Sequence, residues 1–168
     1  MKYLLLLLLS GCIQTPAPVT APPIIEQKPS YKGFWPKTEY TDILSAALDT
    51  HGKSLLSFVP KDAKEWCFDT YADKKQFYIS LISAMAKYES GYNPESKYKE
   101  SFNDAKGNPV MSVGLLQVSS ESCAGYGMPY LKSDILKENK NTLECTVRIL
   151  NRWIPRDGFI AKDKLGSA

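Results

Sequence analysis

A mainly helical domain carrying a small β-hairpin is the fold class this sequence predicts, on three observations. Apolar residues recur at three- and four-residue steps in several windows from about Tyr40 onward. Gly and Pro punctuate those windows at their ends. One turn-rich stretch, Asn103 to Pro109, precedes a short apolar run. In the first window Ile43, Leu44, Ala47 and Leu48 form a stripe, with Thr41 or Asp42 as cap and Gly52 as stop. Leu55, Leu56, Phe58 and Val59 make a short second piece ended by Pro60. A long helix is expected from near Asp73, where Phe77, Leu81, Ile82, Met85 and Tyr88 recur. Small residues at Ser83, Ala84 and Ala86 allow packing on several sides, so this helix should be central; Ser90-Gly91 ends it. The stretch Ser101 to Val113 reads as a hairpin, and Leu115 to Glu121 as a short helix opened by Gly114. Asn141-Thr142-Leu143-Glu144 has capping-box spacing and opens a helix with Leu143, Val147, Leu150 and Ile154 on one face, stopped at Pro155.

The 168 residues suffice for one domain. With 43% hydrophobic and 23% charged residues the composition is that of a soluble core, which excludes a wholly disordered chain and a multi-span membrane protein. A net charge of +3 gives no case for nucleic acid. The ten Tyr and three Trp suit a carbohydrate cleft as well as a core. There is no zinc spacing, phosphate loop or Ser-His-Asp set, so neither metal nor cofactor is expected. The single histidine, His51, is expected to be an exposed helix-end residue.

The start of the chain reads as an address. Lys2, then six leucines from Leu4 to Leu9, then Leu9-Ser10-Gly11-Cys12, is the pattern of a secretory signal, too short to span a bilayer. The last four residues resemble the bacterial lipobox, which implies lipid on Cys12 and removal of residues 1–11. Five prolines between Ile13 and Ser30 make residues 12–39 an extended tether ahead of a domain at 40–168. The expected location is the cell envelope, lipid-anchored. Ile13 after the lipidated position, rather than Asp, suggests the periplasmic face of an outer membrane. With Cys12 lipidated, three thiols remain. A Cys123–Cys145 bridge is favoured, since both lie beside helices in the same half of the domain, leaving Cys67; the alternative is three reduced, buried thiols.

Glu89 is the candidate for chemistry. Tyr78, Ile82, Met85 and Glu89 are spaced four, three and four, which puts a carboxyl at the end of an apolar stripe. Burial there would favour its protonated form and equip it to donate to a leaving oxygen. Ala84 to Pro94, with Glu89-Ser90-Gly91 at its centre, resembles the catalytic Glu-Ser motif of the soluble lytic transglycosylase family. Ser112-Val113-Gly114-Leu115-Leu116-Gln117-Val118-Ser119 resembles that family's Gly-Leu-Met-Gln motif, and the helix from Asn141 to Trp153 resembles its third. The likeness covers about residues 60–160. It implies a lysozyme-like, mainly helical α+β fold with a hairpin beside the cleft.

The resemblance further implies a monomeric enzyme cleaving the bond between N-acetylmuramic acid and N-acetylglucosamine in peptidoglycan strands. Glu89 would be the single acid/base, first protonating the glycosidic oxygen, then drawing the proton from the muramic C6 hydroxyl as an anhydro ring closes. Gln117 would bond the glycan, Gly114 would permit close backbone approach, and Leu115 and Leu116 would floor the cleft. Ser90 and Ser112 are candidates for substrate contact, although Ser90 is read first as a helix-end cap. The family's later Ala-Tyr-Asn motif has no counterpart here, and Tyr126 or Tyr130 is expected to substitute. Two other readings stay open. One is a hydrolytic muramidase of goose-lysozyme kind, with Asp104 or Glu100 holding a water. The other is a non-catalytic, glycan-binding lipoprotein.

Overall fold

Thr70 and Asp73 exchange hydrogen bonds in a capping box, side chain to backbone in both directions, and from there the chain runs as one long helix. The computed structural model describes residues 29–66, 68–129 and 131–161; Cys12, Cys67 and Tyr130 lie outside them. The helical elements are α1 (Glu39–His51), α2 (Lys53–Ser57), α3 (Tyr71–Ser90), α4 (Ser120–Gly125), α5 (Ser133–Leu136) and α6 (Asn139–Asp157). The strands β1 (Lys97–Asn103), β2 (Pro109–Val113) and β3 (Val118–Ser119) form one antiparallel sheet in the order β1-β2-β3. This is the mainly helical α+β arrangement expected, with a third short strand added to the hairpin.

Helix α3 is central because its faces are apolar or small. Phe77, Tyr78, Ile79, Ile82, Ser83 and Ala86 are all buried. They pack with Leu44 and Leu48 of α1, Leu55 and Leu56 of α2, Leu143, Val147 and Ile154 of α6, and Leu115 and Leu116 from the turn after β2. Lys75 is buried too, and its Nζ sits 2.7 Å from Asp49 of α1, which fixes the α1–α3 pairing. A second cluster under the sheet joins Val113, Met128, Leu131 and Leu136 to the half-cystines. The Cys123–Cys145 disulfide is formed, with Cα atoms 5.5 Å apart, and it staples α4 to α6 as expected.

Several expectations need correction. The tether does not continue to residue 39. Trp35 is buried, its Nε1 donates to Thr41 at 2.9 Å, and Phe34 N donates to Ser83, so the chain from about Tyr31 onward is part of the packed body. Leu115 to Glu121 is not a helix. Gly114–Gln117 is a tight turn between β2 and β3, and the helix starts only at Ser120. Helix α6 begins at Asn139 without a capping box and runs through Pro155 to Asp157. Proline there forfeits one hydrogen bond in the last turn, and left-handed Gly158 closes the end by donating to Ile154 O. His51 is not a free helix end: its Nε2 lies 3.0 Å from Glu144, which Arg148 also grips.

Candidate active site

Glu89 occupies the last turn of α3, and the way that helix ends decides where its carboxyl goes. Gly91 and Tyr92 both adopt positive φ, 59° and 66°. Their N–H groups cap Lys87 O and Ala86 O, a Schellman closure in which Tyr92 packs back on the core. The reversal exposes the last turn on its outer side. Glu89 and Tyr88 are exposed, Tyr88 at 87%. The expected burial of Glu89 beside Met85 and Tyr88 is therefore not found. The four-three-four spacing is real, but Glu89 is one step past the last core contact and stands where a long polymer can reach it.

The turn expected to form the second motif lies against this helix end. Ser90 Oγ donates to Leu115 O at 2.9 Å and to Ala86 O at 3.1 Å, so Ser90 ties α3 to the turn. Gly114 has φ 77°, and a Cβ on it would lie 2.7 Å from Thr142 Oγ1; only glycine fits both constraints. Gln117 is also left-handed, at φ 46°. Its Nε2 donates to Gly114 O at 2.8 Å and to Ser96 O at 3.2 Å, which leaves the amide oxygen as the group offered outward. Gly114 N donates to Ser96 O as well, so one carbonyl joins the α3–β1 connection to the turn. Leu115 and Leu116 are buried in the main core, beneath the site.

The sheet carries a second carboxylate. Strands β1 and β2 pair in register from Lys97↔Val113 to Lys99↔Met111, and pairing resumes at Asn103↔Pro109. β1 thus spends three residues, 100–102, where β2 spends one, Val110, an irregularity that begins at Glu100. Bulges of this kind re-aim side chains. Glu100 is half-buried, and its Oε1 accepts a 2.5 Å hydrogen bond from Ser112 Oγ, itself buried on β2. Asp104, the other residue considered for holding a water, is a turn residue. It accepts from Asn108 and Lys106 at the hairpin tip, and the Asn108 side chain foremost holds its carboxyl below the usual range. Tyr126 is engaged by α6: its hydroxyl accepts from Trp153 Nε1 and its ring lies under Arg152.

No protein-family model matches the chain, and no curated protein does. Solved structures of Bd0314 DslA, a Bdellovibrio protein, do. The wild-type form is 37% identical with a TM-score of 0.70, covering 74% of this chain and 71% of that one. The chain belongs to the DslA family. Two further DslA structures, 36% and 37% identical with TM-scores of 0.70 and 0.69, each carry one glutamate replaced by glutamine. Those two positions are eleven residues apart. In this sequence Glu89 and Glu100 are the only two glutamates with that separation. The sequence names Glu100 only as one of two candidates for holding a water, without distinguishing it from Asp104; the bulge that turns it toward Ser112 becomes visible only in the pairing register. Among the described residues no cluster of three or more His, Cys, Asp or Glu is placed to hold a metal, and no helix is long and apolar enough to cross a membrane.

Proposed function

We propose that this DslA-family chain cleaves the glycan strands of peptidoglycan, with Glu89 as the general acid and Glu100 as the partner carboxylate. The observation that carries the proposal is the pair itself. Two glutamates eleven residues apart each stand beside a residue joined to the Gly-Leu-Leu-Gln turn, Glu89 next to Ser90, which donates to Leu115 O, and Glu100 against Ser112 of β2, which leads into the turn; the same spacing separates the glutamates substituted in the DslA structures. Glutamine keeps the shape of glutamate and removes the acid. Glu89 protonates the oxygen of the bond between N-acetylmuramic acid and N-acetylglucosamine. Glu100, its rotamer set by Ser112, takes a proton from the water that attacks the sugar cation. Gln117 offers its amide oxygen to a sugar hydroxyl or N–H. With Glu100 as partner carboxylate, hydrolysis is the favoured course.

A second reading keeps Glu89 alone and closes an anhydro ring through the muramic C6 hydroxyl. It is supported by the order and wording of the two motifs, Glu89-Ser90-Gly91 and Gly114-Leu115-Leu116-Gln117. In both readings lipid on Cys12 and the Pro-rich stretch hold the enzyme, as a monomer, at the cell envelope, on the periplasmic face of the outer membrane. Release of soluble fragments from purified sacculi tests the assignment. Glu89→Gln is expected to lose about 10²–10⁴-fold in rate. Glu100→Gln also loses activity under the hydrolytic course and keeps it under the single-carboxylate one. A Glu89→Gln protein that clears sacculi as fast as wild type overturns the proposal.

A further inference from the structure

Helix α3 leads away from Glu89 to a cavity of about 790 Å³ with no part in the chemistry described so far. Phe77 and Leu81 of α3 form one wall, Trp66 the second and Ile160 the third, with Lys64 and Glu65 at the rim. Leu81, Met85 and Glu89 are successive i, i+4 positions on one ridge of the helix, so Leu81 at the cavity wall is about 12 Å along the helix axis from Glu89 at 1.5 Å rise per residue.

Its walls are fixed. Trp66 packs edge-on against Phe77 with ring centroids 5.2 Å apart, and Phe77 is itself wedged against Phe68 and Tyr78. The indole nevertheless remains 44% exposed, a large apolar ring held rigid and open to solvent. Ile160 is held in place by Asp62, whose carboxylate accepts the N–H groups of Ile160 and Ala161 at 2.9 Å each, while Lys61 N donates to Gly158 O. Burial alone would raise the Asp62 pKa; those backbone donors outweigh it and lower it.

The geometry points to a distal glycan subsite here: the indole of Trp66 takes the apolar face of a pyranose ring, and the charged rim takes its equatorial hydroxyls. An amphipathic pocket with one aromatic platform and a few convergent polar groups suits a sugar better than a peptide or a lipid chain. It lies on the same ridge of α3 as Glu89, about two helical turns away, a remove that a short oligosaccharide spans. This inference rests on the glycan-cleaving reading and adds the residue that sets the strand length the enzyme grips.

The test is calorimetric titration of the full soluble chain, carrying Glu89→Gln to stop turnover, with peptidoglycan oligosaccharides of two and of six sugars. Trp66→Ala is expected to weaken the six-sugar ligand about tenfold, the scale of one stacked aromatic contact, and to leave the two-sugar ligand unchanged. Trp66→Phe, which keeps a ring, should restore most of that loss. Equal weakening at both lengths, or none at either, overturns the subsite while leaving glycan binding intact. If the protein with Trp66 in place binds neither ligand, the glycan reading fails and the subsite with it.

Discussion

Gly114→Ala perturbs the turn that positions Gln117 at a single point. The added methyl must adopt φ 77°, which costs an L-residue about 1–2 kcal/mol. It also lies 2.7 Å from Thr142 Oγ1, inside contact distance. Thr142 is fully buried and its hydroxyl donates to Leu136 O, so the side chain cannot swing away without abandoning that bond. Losing a buried hydrogen bond of this kind costs about 1–3 kcal/mol. Gly→Ala returns about 0.4–1 kcal/mol by restricting the unfolded chain. The net expectation is destabilisation by about 2–3 kcal/mol. Gly107→Ala is the control: φ is 85° there, but nothing lies within 4 Å of the added carbon, so it bears the backbone strain alone. Urea unfolding followed by circular dichroism measures both. Thr142→Ala in the Gly114→Ala background removes the obstructing hydroxyl and should show coupling of about 1–2 kcal/mol in a double-mutant cycle. If Gly114→Ala is no worse than Gly107→Ala, the close packing of the turn on α6 is refuted.

The disulfide closes a loop of 22 residues, for which chain-entropy arithmetic gives about 3 kcal/mol. Reduction, or a Cys123→Ser/Cys145→Ser pair, should lower the unfolding free energy by that amount, and an unchanged urea midpoint in reductant would contradict the bridge. Asp62 has its carboxyl pKa lowered in the fold, so its anchoring of residues 160–161 is fully present above the ordinary value of 3.8 and is lost as pH falls through the lower, folded value. Amide exchange at Ile160 and Ala161 should accelerate in that acid window relative to amides elsewhere in the core; Asp62→Asn should show the fast exchange already at neutral pH, and protection that persists unchanged would refute the anchor.

The stripes of α1, α3 and α6 were legible because helical periodicity reports burial directly, and Leu44, Leu48, Ile82, Leu143 and Val147 are all in the core. The bridge between Cys123 and Cys145 was legible because both cysteines lie beside or within helical segments in the same half of the domain. Leu115 and Leu116 misled. A short apolar run with a glycine before it fits a helix start as well as a turn, and the left-handed backbone at Gln117 that settles the matter has no sequence signal for a non-glycine residue. Trp35 sat too close to the prolines to read as core. Glu89 was identifiable as a motif, yet its exposure was not, because the Schellman reversal at Gly91 and Tyr92 turns the chain just before the stripe would have been covered. Glu100 depends on a register shift between two strands, and registers are set by pairing partners rather than by either strand alone. Trp66 lies outside every periodic segment, and only the packing of Phe77 beneath it shows that its ring is held.

The central proposal is that two carboxylates, Glu89 and Glu100, direct water at a glycosidic bond. Digestion of purified sacculi in heavy-oxygen water, with mass spectrometry of the released muropeptides, tests it most directly. The account predicts one heavy oxygen at each new reducing end, in fragments that the Glu89→Gln protein does not release. Unlabelled, anhydromuramyl-ended products would contradict the role given to Glu100 in favour of internal attack by the C6 hydroxyl, and no release at all would contradict catalysis by the pair.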